Sequence, residues 1–270
     1  MCDRPIQSSQ RVPGLQAIVF DVDGTLADTE RDGHRLAFNA AFREAGLDWD
    51  WDARRYGELL AVTGGKERIR FYLEQEGIRL DSALEADAFV AGLHQAKTRH
   101  YLALLGTGAI PLRPGVLRLL REARAAGVRL AIATTTTPEN VTTLLDSAGE
   151  PELSSWFEVI AAGDAVARKK PAPDIYRLVL ERLGLAPRDC LAVEDSDNGV
   201  RSALDAGIRA VLVTVCSYTA DQSFPGATLV ADGLGEADAP VRVLSGALGG
   251  AGYIDLAVLA RLHAAANARP

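Results

Sequence analysis

The chain has 270 residues and a formal net charge of −7. That length can bury one full core, or a large core and a small one. The negative balance excludes a general attraction to nucleic acid or anionic membrane, so an anionic ligand would need a local positive site. No apolar run approaches the roughly 18 residues of a membrane-spanning helix.

Residues 1–14, MCDRPIQSSQRVPG, are polar, lack the apolar centre of a signal peptide and read as a flexible extension. Cys2, Cys190 and Cys216 are odd in number and scattered. They fit a reducing cytoplasm, with no disulfide framework and no metal-ligand spacing. A short run rich in branched residues, Ala17-Ile18-Val19-Phe20, reads as a buried strand of a parallel sheet. It breaks into Asp21-Val22-Asp23-Gly24-Thr25. In an open α/β sheet ligands bind beyond the carboxyl ends of strands. Two carboxylates about 6–7 Å apart along extended chain are costly there unless they share a cation.

Helical spacing follows over 29–46, 54–61, 66–77 and 83–105, with no convincing strand between, and Gly46 is a plausible stop. An all-α insertion between one strand and the next βα unit implies a helical cap over 28–108, returning at Gly106-Thr107-Gly108. Beyond Pro114-Gly115 helix and strand alternate, which implies a parallel sheet. Strands are expected at 128–134, 157–162, 191–194, 210–215 and 228–230. Helices are expected at 116–126, 138–148, 173–183, 198–206 and 253–266, with Thr137 capping the helix that starts at Pro138. The Gly/Ala-rich stretch 233–252 reads as a loop. The expected fold is α/β: a Rossmann-like parallel sheet with helices on both faces, formed by 15–27 and 109–270, with the small all-α cap inserted.

Three later stretches also end apolar runs or turns with chemically useful groups. Leu130–Thr134 is a strand tipped by a hydroxyl, followed by Thr135, Thr136 and Asn140 near a helix N-terminus, where anions are favoured. In Lys169-Lys170-Pro171-Ala172-Pro173-Asp174, a lysine before Pro-x-Pro is held on restricted backbone. Val193-Glu194-Asp195-Ser196-Asp197-Asn198-Gly199 is another apolar run ending in acids, with Asp197 read as the cap of the next helix. In the helical insertion, Thr63-Gly64-Gly65-Lys66-Glu67-Arg68 offers free amides and two cations, enough to hold a second phosphate.

DVDGT, LAIAT, KPAPD and VEDS in this order resemble the haloacid dehalogenase-like hydrolase superfamily over nearly the whole chain after residue 14. The resemblance implies Asp21 as nucleophile toward phosphorus, Asp23 as acid and base, Thr134 as a phosphoryl hydrogen-bond donor and Lys170 as the catalytic-site lysine, with Lys169 its solvated neighbour. It also implies Mg²⁺ held by Asp21, the backbone carbonyl of Asp23, and Asp195, with Glu194 as a ligand or as the holder of a metal-bound water. TGGKER, PENV and the position of Glu30 are similar to the CbbY-like branch, whose activity is hydrolysis of xylulose 1,5-bisphosphate. That similarity implies Glu30 for sugar hydroxyls, Gly64, Gly65, Lys66 and Arg68 for the distal phosphate, and Thr135, Thr136 and Asn140 for the sugar phosphate near the core.

In the sister β-phosphoglucomutases a cap histidine follows the first motif with one residue less than here, so His34 matches it only across a gap. Lys97 reads as solvated. The expectation is a cytoplasmic, monomeric phosphoric monoester hydrolase with a small sugar-phosphate substrate and no nucleic-acid or membrane partner. A β-phosphoglucomutase-like isomerase, a phosphoglycolate-type phosphatase and a sugar-phosphate sensor without turnover are the alternatives.

Overall fold

In the computed structural model, which describes residues 14–80 and 82–268, alternation along each strand decides which layer a side chain joins. On β1 (Ala17–Phe20), Ile18 and Phe20 pack into one apolar cluster, and Ala17 and Val19 into another. β2 (Arg129–Ala133), β4 (Cys190–Glu194) and β5 (Ala210–Thr214) divide their side chains in the same way. Both faces are therefore covered. α5 (Val116–Ala125), α6 (Pro138–Asp146) and α9 (Leu256–Asn267) contribute to the first cluster. α7 (Asp174–Leu183) and α8 (Asp197–Asp205) contribute to the second.

With β3 (Phe157–Ala161), β6 (Leu229–Ala231) and β7 (Val243–Ser245), the strand order among the described residues is β3-β2-β1-β4-β5-β6-β7. All pairings are parallel except β6–β7. The chain builds outward from β1 to β3 and then returns to β1's other side with β4. That reversal opens a crevice at the carboxyl ends of β1 and β4. Phe20 is paired with Val193, so Asp21 and Glu194 leave the sheet side by side.

Between β1 and β2, α1 (Arg35–Glu44), α2 (Ala53–Leu59), α3 (Gly65–Gln75) and α4 (Ala83–Gly106) enclose a third cluster. Phe38, Phe42, Trp51, Tyr56, Leu59 and Ile69 are fully buried in it.

Several expectations need correction. The stretch 233–252 is not all loop: Val243–Ser245 adds an antiparallel edge strand to β6. Three residues in a Gly-rich setting give too short a pattern to show. The helix expected from Thr29 starts instead as a π-helical turn, Glu30–His34, with Arg35 N–H donating to Glu30 O. Ser196, not Asp197, caps α8, accepting from Gly199 N; Asp197 is its first residue. Thr137 does cap α6, accepting from Asn140 N. Cys190 and Cys216 are buried free thiols; Cys2 and the extension up to residue 13 lie outside the described residues.

Candidate active site

β1, β4 and the turn before α7 deliver four charged groups to one buried point. Lys170 Nζ donates to Asp21 Oδ1 at 2.7 Å and to Glu194 Oε1 at 2.6 Å. Asp21, Lys170 and Asp195 are each under 10% exposed, and Glu194 is fully buried. Burial pushes Asp21 well above the carboxylate range, and Glu194, Asp195 and Asp23 add to this against the pull of Lys170. Burial, then Glu194, pushes Asp195 up to about 7. Lys170 is shifted upward because its two carboxylate partners outweigh burial.

This excess of buried negative charge is suited to a cation. Ligand atoms of Asp21, Glu194 and Asp195 lie within 4.8 Å of one another. Glu194 Oε2 is buried with no hydrogen-bond partner. An all-oxygen donor set fits a hard divalent ion. Two glycines keep the space open: a Cβ on Gly24 would stand 2.3 Å from Asp195 Oδ2, and one on Gly199 would stand 1.9 Å from Glu194 Oε2.

Asp23 is held differently. Its Oδ1 accepts from Thr29 Oγ1 at 2.6 Å and lies 3.0 Å from His34 Nε2. Lys97 Nζ lies 2.7 Å from His34 Nδ1. An ammonium only donates, so Nδ1 accepts and Nε2 carries the proton that is given to Asp23. Burial alone would raise Asp23, but His34, Thr29 and Lys97 outweigh it and bring it to about 2. Asp21 and Asp23 therefore sit in opposed environments, the pattern that separates two carboxylates into different tasks.

His34 reaches Asp23 because of the π-helical turn. Such a turn takes up one more residue than an α-helical one. Lys97 is not solvated but 5% exposed, its pKa brought down to about 8 by burial against the pull of Glu30 and Asp23.

The cleft continues from this point between the sheet and the helical unit. One cavity of about 590 Å³ is lined by Asp21, Asp23, Glu30, Arg68, Lys170 and Asp195. A second of about 640 Å³ shares Asp23, Glu30, Gly64, Arg68 and Thr135 with it, and adds His34, Gly65, Lys66, Thr136, Asn140 and Lys169. Gly64 and Gly65 begin α3 where side chains would not fit. A Cβ would meet Glu67 Oε2 at 2.2 Å from Gly64, where φ is also +101°, and His94 Nε2 at 2.7 Å from Gly65.

Lys66 is half-exposed, 3.9 Å from Asp164. Arg68 is buried instead: it donates to Tyr56 Oη at 2.8 Å and lies 3.8 Å from Glu30, which accepts from Tyr56 Oη. Asn140 Nδ2 donates to Thr136 Oγ1 at 2.9 Å, and Asn140 Oδ1 is buried without a partner. Thr134 stands at the tip of β2, but it is 1% exposed and its hydroxyl accepts from Thr136 N at 3.4 Å; Thr135 is the threonine that lines both cavities. Lys169 is not simply solvated: it pairs with Asp164 at 3.2 Å and with Glu67, across the cleft, at 3.8 Å.

A family model described as "haloacid dehalogenase-like hydrolase" matches residues 15–207. The chain belongs to the haloacid dehalogenase-like hydrolase family. It is 50% identical to "Protein CbbY, plasmid" of Cupriavidus necator over 233 residues, 84% of this chain and 89% of that one. The crystal structure of CbbY from Rhodobacter sphaeroides in complex with phosphate superposes with a TM-score of 0.74 at 48% identity, covering 81% of this chain and 94% of that one. An aspartate-to-asparagine variant of that protein in complex with xylulose 1,5-bisphosphate superposes with a TM-score of 0.73 at 46% identity, with the same coverage. The expected hydrolase class and CbbY-like branch both hold.

In this haloacid dehalogenase-like hydrolase some contacts have no motif to announce them. Tyr56 and Tyr176 occupy apolar faces of amphipathic helices and read as core, yet their hydroxyls bond Glu30 and Glu194. Arg113, just before Pro114, donates to Thr214 O at 2.9 Å and to Val215 O at 2.7 Å, and also bonds Gly24 O. It ties the turn after Asp23 to the end of β5. Its side chain is 10% exposed, a degree of burial that a lone arginine in a turn does not reveal.

Proposed function

We propose that this enzyme is a Mg²⁺-dependent sugar-bisphosphate phosphatase that hydrolyses xylulose 1,5-bisphosphate to xylulose 5-phosphate through an aspartyl-phosphate. The observation that carries the reading is one continuous cleft with chemistry at one end and a second cationic end. Asp21, Asp23 and Lys170 lie at the first; Lys66, Lys169 and the α3 N-terminus lie at the second. The CbbY relative bound to the same bisphosphate supports the choice of sugar. Residues 28–108 act as the cap that selects it, and the enzyme works as a cytoplasmic monomer.

Asp21, Glu194 and Asp195 would hold the Mg²⁺, with the Asp23 carbonyl. The ion supplies charge neutralisation between nucleophile and phosphate. Lys170 fixes one oxygen of Asp21, leaving the other to attack phosphorus. The oxygen–phosphorus bond forms as the bond to the sugar oxygen breaks, and Asp23 gives the leaving alkoxide a proton. Asp23 is ionised in the free site; an arriving phosphate dianion raises its proton affinity, so that it takes up from solvent the proton it then gives to the alkoxide. Asp23 then takes a proton from the water that attacks the aspartyl-phosphate, and inorganic phosphate is released. His34 and Thr29 hold Asp23 for both steps. Glu30 meets sugar hydroxyls, and Thr135, Thr136 and Asn140 meet the phosphate near the core.

Incubation with xylulose 1,5-bisphosphate and Mg²⁺ is expected to release one phosphate per sugar. Conversion of a hexose 1-phosphate to its 6-phosphate, with the bisphosphate only as activator, would replace this reading with the isomerase. Exhaustive chelation should abolish phosphate release and Mg²⁺ should restore it; full activity in chelated protein would refute the cation site.

The distal end has its own test. A charge-assisted contact to phosphate is worth roughly 1.5–3 kcal/mol. Lys66→Ala, a half-exposed change that leaves the core intact, should therefore lower kcat/KM for the bisphosphate about tenfold or more. For p-nitrophenyl phosphate, which places nothing there, the change should stay within about twofold. Equal losses on both substrates would give Lys66 a role in closure instead. Arg68→Ala is a poorer probe, because it also strips Tyr56 and Glu30 of their partner.

A further inference from the structure

Glu194 is fully buried, and its two oxygens are treated unequally. Oε1 accepts from Lys170 Nζ at 2.6 Å and from Tyr176 Oη at 2.5 Å. Oε2 has no hydrogen-bond partner. Tyr176 is itself completely buried, on the first turn of α7, directly after the turn that carries Lys170. The Lys170 ammonium sits 5.3 Å from the centroid of its ring. Gly199, with no side chain, lets Oε2 lie where a Cβ would exclude it.

We infer that Tyr176 is a positioning residue for the cation site: its hydroxyl pins Glu194 Oε1, so that Oε2 is the oxygen presented to a bound divalent ion. The inference rests on the cation reading above. Without the hydroxyl, Lys170 alone would hold Oε1. The carboxylate could then turn about its last bond and draw the ammonium away from Asp21. A ring alone would pack equally well against Lys170 and the second apolar cluster, so packing does not call for the hydroxyl. Partners that orient metal ligands in this way typically govern affinity by ten- to a hundredfold.

The test is Mn²⁺ binding, followed by electron paramagnetic resonance and displaced by Mg²⁺, in wild type, Tyr176→Phe, Glu194→Gln and the double variant. Melting of each metal-free protein is followed alongside. The expected result is a dissociation constant raised about tenfold or more in Tyr176→Phe. In the Glu194→Gln background the same change should add less than about twofold, because the hydroxyl acts through Glu194. Unchanged affinity in Tyr176→Phe overturns the inference, whether or not the melting temperature falls. An equal further loss in the Glu194→Gln background overturns it as well, since the hydroxyl would then act by another route. A wild-type protein that binds no Mn²⁺ overturns the cation reading itself, and is distinct from a wild type that binds while Tyr176→Phe binds equally well.

Discussion

Asp21→Asn is expected to lower phosphate release by about three or more orders of magnitude while leaving the fold in place. The substitution keeps the shape of the side chain and removes the anionic oxygen that, in the proposed mechanism, attacks phosphorus. It also removes one of three carboxylates gathered within 4.8 Å. Groups that act as one catalytic unit fail together, so the loss should approach that of losing the whole apparatus. Folding should not suffer: Asp21 is buried with its proton affinity raised by burial and by neighbouring carboxylates, so removing its charge relieves repulsion. A metal-free melting temperature equal to or above wild type is the expected companion. Retention of more than about a tenth of the wild-type rate, under 1.4 kcal/mol of barrier, would exclude Asp21 as nucleophile.

Lys170→Ala should damage both activity and stability. The ammonium is 6% exposed and donates to two carboxylates that no other lysine reaches among the described residues. Removing one partner of a buried ion pair costs about 3–5 kcal/mol. In a chain of this size that is a drop in metal-free melting temperature on the order of 10 °C. A divalent cation neutralises the same carboxylates, so Mg²⁺ should return part of the lost stability, because it binds only the folded state. It should not return the rate. Loss of the ammonium that, in the proposed mechanism, fixes Asp21 for attack should lower kcat at least about a hundredfold. Calorimetric melts with and without Mg²⁺, set beside steady-state kinetics, separate the two effects. A variant with wild-type melting and kcat within about threefold would show that the pair is dispensable.

The two ends of the cleft were unequally legible in the sequence. Asp21, Glu194 and Lys170 could be read because a strand that stops at a carboxylate, or a lysine fixed before Pro-x-Pro, is a local pattern. The residues of the helical insertion were harder. Arg68 read as a free cation beside Lys66, but α3 turns it inward to Tyr56 and Glu30, leaving Lys66 and Lys169 facing the far end of the cleft. His34 could be matched only across a gap. It lies against Asp23 at the end of a π-helical turn in which Gly33 leaves no room for a side chain beside Tyr101 and Ile110, and a local pattern does not announce such a turn. Lys97 read as solvated because a lone lysine on a helix usually is; only the fold supplies the His34 ring that holds it.

By itself the sequence determined the α/β class, the helical insertion and the residues at each strand end, because apolar periodicity and the chemistry of turns are local properties. Which strands lie side by side is not local. That β4 pairs with β1, so that Glu194 emerges beside Asp21 and shares Lys170 with it, was decided by the crossover of the chain and the burial of both sheet faces. The hydroxyls of Tyr56 and Tyr176 were likewise assigned by tertiary structure alone. A tyrosine on an apolar helix face carries the same sequence signal whether its oxygen ends in solvent or on a buried carboxylate, and only the packed neighbours distinguish the two.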